Sequence, residues 1–483
     1  MQVRAASDGT TTVSQPGAIL TFGAPQPVAL RAGRSAAATT QTMSAQAVAA
    51  QAMSQAVQVQ PTVIRVDPMR VDTTRGSYYA AGNEVRLQPG RPAAPRVSTD
   101  VTNAALGKAH GAWLETASYT DVPGFTPFVA NVSTDAGTAR AQYVAEGWSP
   151  ARLGLLSRVE LATGATDTLT VLPAQYRQAL GQTTGTARVY SSLSYTMYYS
   201  TSSTRRTPVV EAVEVTSGNR ITVTAFDGAS LARVGATWTT GDGTWHTAEL
   251  AYVAYDATSG TWQGTVPAPS GQTAQFFVQL LDTNWNVGQA DNAGLYYQAT
   301  APQSFTLGLP GAGWNLVALH GTPSTSLDSA TLCDALNAVG GAGTAAEVAK
   351  YEAGGWSSYR CGMPTTPFSL VPGKGYFVKI TRPLSWSYQA TPPAGGVPLS
   401  PGAGWTLVAL PGRAAAYDAP GLLAALNAAG VCSAADGGCA LEVDRWQDGG
   451  WEGHLRGLPV NAFALEEGRG YFVRLTQPEQ WTP

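Results

Sequence analysis

Hydrophobic and polar positions alternate with a period of two along much of the chain, a pattern that predicts strands rather than helices. Leu193, Tyr195, Met197 and Tyr199 alternate with Ser194, Thr196 and Tyr198, so the face carrying Leu193 and Met197 is expected to look into a core. Between Pro61 and Arg206 short apolar runs such as 63–71 are separated by turn-forming clusters. The runs 158–161 and 168–172, joined by Ala-Thr-Gly-Ala-Thr-Asp, predict a hairpin with a loop of several residues. The Ser/Thr-rich stretch 200–208 then breaks the alternation and reads as a linker. Upstream, residues 36–60 form an uncharged Ala/Gln/Ser/Met/Val tract with no capping residue, read as a low-complexity connecting segment.

After Pro208 the spacing becomes regular. Strands are predicted at 209–215, 220–226, 231–238, 245–253, 261–266, 274–281 and 294–298, with Gly, Asp, Asn or Ser clusters between nearly all of them. That rhythm predicts an antiparallel sandwich. The wording FDGASLARVGATWTTGDGTWHTAEL, followed by GTWQGTVPAPSGQTAQFFVQLLDTNWNVGQADNAGLYY, resembles the immunoglobulin-like domains of bacterial secreted and surface proteins. The resemblance implies a fold and carries little about function.

The remainder is a duplication. PGAGWNLVAL at 310–319 returns as PGAGWTLVAL at 401–410, and LCDALNA at 332–338 as LLAALNA at 422–428. GGWSSYRCGMP at 354–364 returns as GGWEGHLRGLP at 449–459, and FSLVPGKGYFVKI at 368–380 as FALEEGRGYFVRL at 463–475. In each copy a Gly-Trp turn leads into an apolar strand and a short helix, expected around 332–339 and ended by Gly340 and Gly341 in the first copy; two hairpins with glycines in their turns follow. The pair resembles the GWN-L-V/I … G-x-W … G-x-G-Y-F/W-V repeats near the C-termini of bacterial and archaeal surface or secreted proteins. That resemblance implies a non-catalytic accessory module used for display or attachment.

The fold class expected is therefore mainly β and multidomain: an N-terminal segment with a low-complexity linker (1–60), a β-rich domain (61–207), an Ig-like β-sandwich (208–300), and two tandem small α+β modules (303–390 and 394–483). Length agrees, since at roughly 150 residues per domain a 483-residue chain holds several. Only 13% of residues are charged and the formal net charge is −3, which excludes a generally basic nucleic-acid binder. No run reaches the ~18 apolar residues of a membrane helix. The opening MQVRAASDGTTTVSQPG lacks the basic start and apolar core of a secretory signal. The chain is then expected to be either cytosolic or a mature or internal piece of a longer exported polypeptide.

The cysteines favour export. All four lie in the duplicated region, two per copy: Cys333 and Cys361, then Cys432 and Cys439. Three pairings are possible in principle. Pairing within each copy would tie helix to hairpin through Cys333–Cys361 and close a loop through Cys432–Cys439, placing the chain in an oxidising, extracellular compartment. No pair has the spacing of a metal site.

Candidate chemistry is sparse. The four histidines, His110, His246, His320 and His454, form no HExxH, and neither GxSxG nor GxxxxGK[ST] occurs. At one end of the expected sandwich the loops bring Asp227, Asp256 and Asp282 near Asn286, oxygen donors of the kind that suit a structural Ca²⁺; Asp and Asn are equally the preferred residues of turns. The tryptophans raise glycan binding, because an exposed indole stacks on the apolar face of a sugar ring. Those at matching places, Trp314/Trp405, Trp356/Trp451 and Trp386/Trp481, are expected in module cores. Trp446 stands opposite Tyr351 and is the candidate ligand-binding indole.

Together these readings point to a non-catalytic extracellular region of a bacterial surface or secreted protein, structural or adhesive. No catalytic residue and no cofactor is assigned, the structural Ca²⁺ apart. The expected partners are a cell-surface polymer, a glycan or a protein, with no nucleic acid and no membrane span; tandem modules and exposed strand edges permit self-assembly. The alternatives are the accessory C-terminal region of a secreted hydrolase such as a peptidase, and a carbohydrate-binding protein.

Overall fold

The computed structural model describes residues 2–5, 11–15, 18–22, 26–27, 58–82, 84–130, 145–216, 219–226, 231–255, 259–393, 395–429 and 438–483. The chain is mainly β and divides into two compact units, one of Met1–Ala268 with Gln272–Ala299 and one of Pro269–Gly271 with Thr300–Pro483. No helix among the described residues is long and apolar enough to cross a membrane. Most of the tract 36–60 lies outside the described residues; its last three residues begin the strand Gln58–Val66.

The first unit is organised by two long antiparallel partners, Lys108–Phe125 and Gly185–Ser200. In the second, the expected inward face is buried, with Leu193, Met197 and Tyr199 at 0% exposure and Tyr195 at 3%. The first partner has no legible alternation. Its register slips at Ala109/Gly111, Leu114/Thr116, Ser118/Tyr119 and Pro123/Phe125, and each bulge swaps which side chains face the core. The hairpin Gly154–Leu161/Gly164–Val171 is tighter than expected: Leu161 faces Gly164, leaving a two-residue turn, and Gly164 takes a positive φ of 143° that side-chain-bearing residues rarely adopt.

Residues 209–299 form two sheets. Val209–Thr216, Arg220–Phe226, Ser259–Thr265 and Ala251–Tyr255 make one; Leu231–Thr239, Thr244–Glu249, Thr273–Asp282 and Val287–Ala290 lie in the other. They enclose a core that includes Ile221, Val223, Val234, Phe276 and Val278. The single strand expected at 245–253 is two, Thr244–Glu249 and Ala251–Tyr255, one in each sheet, parted at the buried Leu250.

The second sheet is buried on both faces, which is why Thr273–Asp282 reads as a nearly continuous apolar run. Its far side supplies Trp245 and Phe277, joined by Tyr296 from the segment after Val287–Ala290, to the same core as Leu193 and Met197. Ala117 and Ser118 pair with Trp245 and Thr244. The buried amide of Gln279 accepts from Leu114 N–H at 3.0 Å and donates to Leu114 C=O at 2.8 Å, closing a strand-like pair with a side chain. The stretches 61–207 and 208–299, divided on sequence, thus belong to one unit. The stretch 200–208 is pinned rather than loose: Asn286 Nδ2 donates to Thr204 C=O, and Arg205 Nη2 lies 3.6 Å from the Asp167 carboxylate.

The second unit holds the two copies of the repeat. The first has a four-stranded sheet ordered Gly313–Ala318, Gly375–Ile380, Ala345–Glu352, Gly355–Arg360, and the second the matching Gly404–Val408, Tyr471–Leu475, Ala440–Gln447, Gly450–Leu455. One helix covers one face of each: α1 (Ser329–Gly340) and α2 (Ala419–Ala428). Their N-caps match, Asp328 accepting from Thr331 N–H and Asp418 from Gly421 N–H, both at 2.7 Å. Cys333 on α1 is disulfide-bonded to Cys361. Cys439 is also in a disulfide, and Cys432 lies outside the described residues.

Candidate functional site

In each repeat the strands alternate, so one face of the sheet meets its helix and the other carries Trp314, Leu316, Phe377, Ala349 and Tyr351, or Trp405, Leu407, Phe472, Asp444 and Trp446. These second faces pack against each other. Leu316, Ala349, Phe377, Leu407 and Phe472 form one buried cluster, edged by Trp314, Tyr351, Trp405 and Trp446. The contacts come in twos, each the image of the other. Ala318 N–H donates to Gly468 C=O and Ala409 N–H to Gly373 C=O, both at 2.9 Å. A methyl group at Gly375 would come within 3.1 Å of Gly470 Cα, and one at Gly470 within 3.0 Å of Gly375 Cα. The repeated G-x-G-Y-F motif therefore does more than turn the chain. Its first glycine offers a carbonyl to the other copy and its second lets two backbones touch, the isologous pattern of a twofold dimer held within one polypeptide.

Aromatic rings complete the symmetry. Phe377 meets Trp314 at 6.1 Å, Trp356 at 5.5 Å, Trp446 at 5.7 Å and Trp451 at 5.8 Å; Phe472 meets Trp405 at 6.1 Å, Trp451 at 5.3 Å, Tyr351 at 5.1 Å and Trp356 at 6.1 Å. Trp446, the expected ligand platform, is instead a junction residue, its Nε1 donating to Trp314 C=O in the other copy at 2.8 Å. The outward indoles are Trp356 and Trp451, 56% and 48% exposed. They were expected in module cores because their positions repeat. The repetition is real, but it places them at the rim of a symmetric junction.

The alternate positions, on the helix side of each sheet, carry paired cations. Lys350 and Lys374 both pair with Glu352, whose carboxyl they hold below its ordinary range, and Arg445 pairs with Glu452 at 2.7 Å. Asp444 differs. Its Oδ1 is buried without a hydrogen-bond partner, and burial, with Glu442 nearby, pushes its pKa up to about 6.

In the first unit, Asp282 and Asn286 do come together, in a buried turn. Asp282 accepts from Asn284 N–H at 2.9 Å, Asn286 N–H at 2.8 Å and Asn286 Nδ2 at 2.9 Å. Asn286 Oδ1 in turn meets His110 Nδ1 at 3.3 Å, and His110 Nε2 meets Ser202 C=O at 3.0 Å. Burial raises the Asp282 carboxyl and lowers the His110 imidazole. Donors fill the oxygens that a Ca²⁺ would need at Asp282, so the turn chemistry accounts for them. Asp227 and Asp256 lie outside the described residues, and the described residues hold no cluster of three His, Cys, Asp or Glu able to bind a metal.

A cleft of about 360 Å³ also opens on this unit, lined by Arg86, Arg91, Trp148 and Pro150 among others. Near it, Arg188 is buried, bound to Asp121 at 2.7 and 2.8 Å and stacked on Tyr119 and Trp148 at 4.0 and 4.3 Å. Nothing in the local sequence marks this arginine, because its partners come from two other strands, Lys108–Phe125 and Ala145–Ser149.

No family model matches the chain, and no curated protein matches it. Among solved structures, a chain of the complex of Porphyromonas gingivalis RgpB pro- and mature domains is similar at 16% identity over 31% of this chain and 83% of that one, with a TM-score of 0.23. A likeness this slight establishes neither fold nor function.

Proposed function

We propose that the chain is a non-catalytic, extracellular structural and adhesive region of a bacterial surface or secreted protein, which holds and attaches other domains. The observation that carries this reading is the repeat pair: two disulfide-containing modules fused face to face into one body. Disulfides of this kind belong to an oxidising compartment, and a fused pair transmits position instead of allowing each module to swing on a linker. The sandwich and repeats are, on this reading, accessory modules of the sort they resemble. The histidine and carboxylate network around Asp282 serves folding, which fits a region whose chemistry lies elsewhere.

The test is location. Intact cells of the source organism, treated with a membrane-impermeant amine label and then fractionated, are expected to yield labelled chain with its four cysteines oxidised. Chain that is labelled only after lysis, with free thiols, would overturn the reading.

A further inference from the structure

We propose that the cleft of the first unit is a binding site for a small organic oxyanion, a carboxylate or phosphate on a compact body, with Arg86 and Arg91 holding the charged end; this goes beyond the surface-attachment reading and does not rest on it. At about 360 Å³ the cleft falls within the roughly 300–1,000 Å³ of small-molecule sites. Both arginines line it, and no carboxylate does. Among the described residues, neither guanidinium has an ion pair or a hydrogen bond. Other arginines of the unit are taken, Arg158 by Asp167 and Glu160, Arg188 by Asp121, and Arg233 by Glu115 and Glu249. One exposed arginine is ordinary. Two free ones in the same concavity, with no acid in its walls, leave an anion as the missing partner.

The charge behind the wall has the same sign. Trp148 is 2% exposed and lines the cleft, and Arg177 and Arg188 stack on its ring at 4.5 and 4.3 Å. Asp121 answers Arg188, but Arg177 makes no ion pair with a described carboxylate. Burial and the neighbouring Arg188 hold its pKa below the ordinary arginine value. The acids that adjoin lining residues in sequence do not cancel this field. Glu84 is exposed and makes no ion pair with Arg86, and Glu146 is absent from the lining although the residues on both sides of it belong to it. Asp291 accepts from Gln289 Nε2 at 3.3 Å and lies 3.8 Å from Arg152 Nε. An anion entering the cleft is therefore attracted before it makes any contact.

Both arginines stand on fixed backbone. Val85–Arg86 pairs with Ala94–Pro95, and the turn between them is tied down by Gly90 N–H to Ala130 C=O and Ala93 N–H to Phe128 C=O, both at 2.9 Å. Elsewhere in the wall, Pro150 C=O accepts from the buried Gln175 Nε2 at 2.7 Å. Gly147 lets its strand press on the turn at Ala293, whose carbonyl a Cβ there would meet at 2.6 Å. A preformed cleft loses little affinity to ordering. The guanidinium fork matches the geometry of carboxylate and phosphate, and walls that mix Gln88 and Ser149 with Ala94 and Leu172 suit a body with polar and apolar sides.

The experiment is ligand-observed NMR on the full chain at low salt with glucuronate, benzoate, glucose 6-phosphate and phenyl phosphate, and with glucose and benzamide as neutral comparisons. At least one anion is expected to bind with a Kd of about 1 mM or below, and the neutral compounds not to bind. The carboxylate and phosphate members tell which head the site takes. Arg86→Gln and Arg91→Gln should each weaken binding by about tenfold, and the double variant should abolish it. In the wild-type chain the bound anion should slow phenylglyoxal modification of Arg86 and Arg91, mapped by peptide mass spectrometry, a readout that does not depend on how the variants fold. The proposal is overturned if none of the anions binds, if the neutral compounds bind as well as the anions, if bound anion leaves both arginines open to modification, or if the double variant binds as the wild type does.

Discussion

At Asp444 the second repeat carries a carboxyl where the first carries Ala349, and across the strand pair Gly453 stands where the first repeat has Ser358. The exchange conserves space, since a Cβ at Gly453 would sit 2.5 Å from Asp444 Oδ1. It does not conserve charge. Asp444 titrates near 6 in the folded chain against an ordinary 3.8, because burial and Glu442 both disfavour the anion while Arg474 only partly offsets them. A raised acid binds more protons folded than unfolded, so this group's contribution to stability falls as pH rises from about 4 to about 6 and stays lost above. Asp444→Asn is expected to remove that slope and raise the unfolding temperature of the second unit at pH 7, measured by calorimetry across pH 4 to 8. A variant with an unchanged slope would show that the carboxyl is not desolvated. Single residues were unevenly legible in the sequence. The inward turn of Leu193 and Met197 follows from alternation alone, whereas the half-burial of Trp446 is set by the partner sheet of the other copy, whose Trp314 carbonyl it meets.

Elements were legible where each strand keeps one register. The seven strands expected after Pro208 are present with shifted ends, one split between sheets, and Val287–Ala290 added. Lys108–Phe125 escaped notice because its bulges scramble the period. The division at 207/208 follows a change in composition; the amide of Gln279 reaches Leu114 from across that point and ties the two stretches together. A side chain that satisfies both backbone groups of a buried strand residue is costly to remove, because its partners are left dry and unpaired. Gln279→Ala is therefore expected to destabilise the first unit by about 2–6 kcal/mol in urea unfolding, counting about 1–3 for each of the two orphaned Leu114 groups. Residues on both sides of 207/208 should still unfold in one transition. Two separated transitions would mean that the two stretches fold independently.

For the whole molecule, the decisive feature is that the duplicated modules were visible as a repeat but not as a pair. A tandem repeat predicts a string of similar bodies; the shared buried cluster, the close approach at Gly375 and Gly470 and the crossed bonds of Ala318 and Ala409 make the two into one. On the proposed reading, display and attachment would both draw on that union. The most direct test is native-state hydrogen exchange of the full chain carrying Gly470→Ala, whose added methyl meets Leu316 and the Gly375 backbone. Such overpacking typically costs about 1–3 kcal/mol. If the modules form one cooperative body, the Val348 and Val378 amides of the first repeat lose protection together with Val443 and Val473 of the second; loss confined to the second repeat would contradict it.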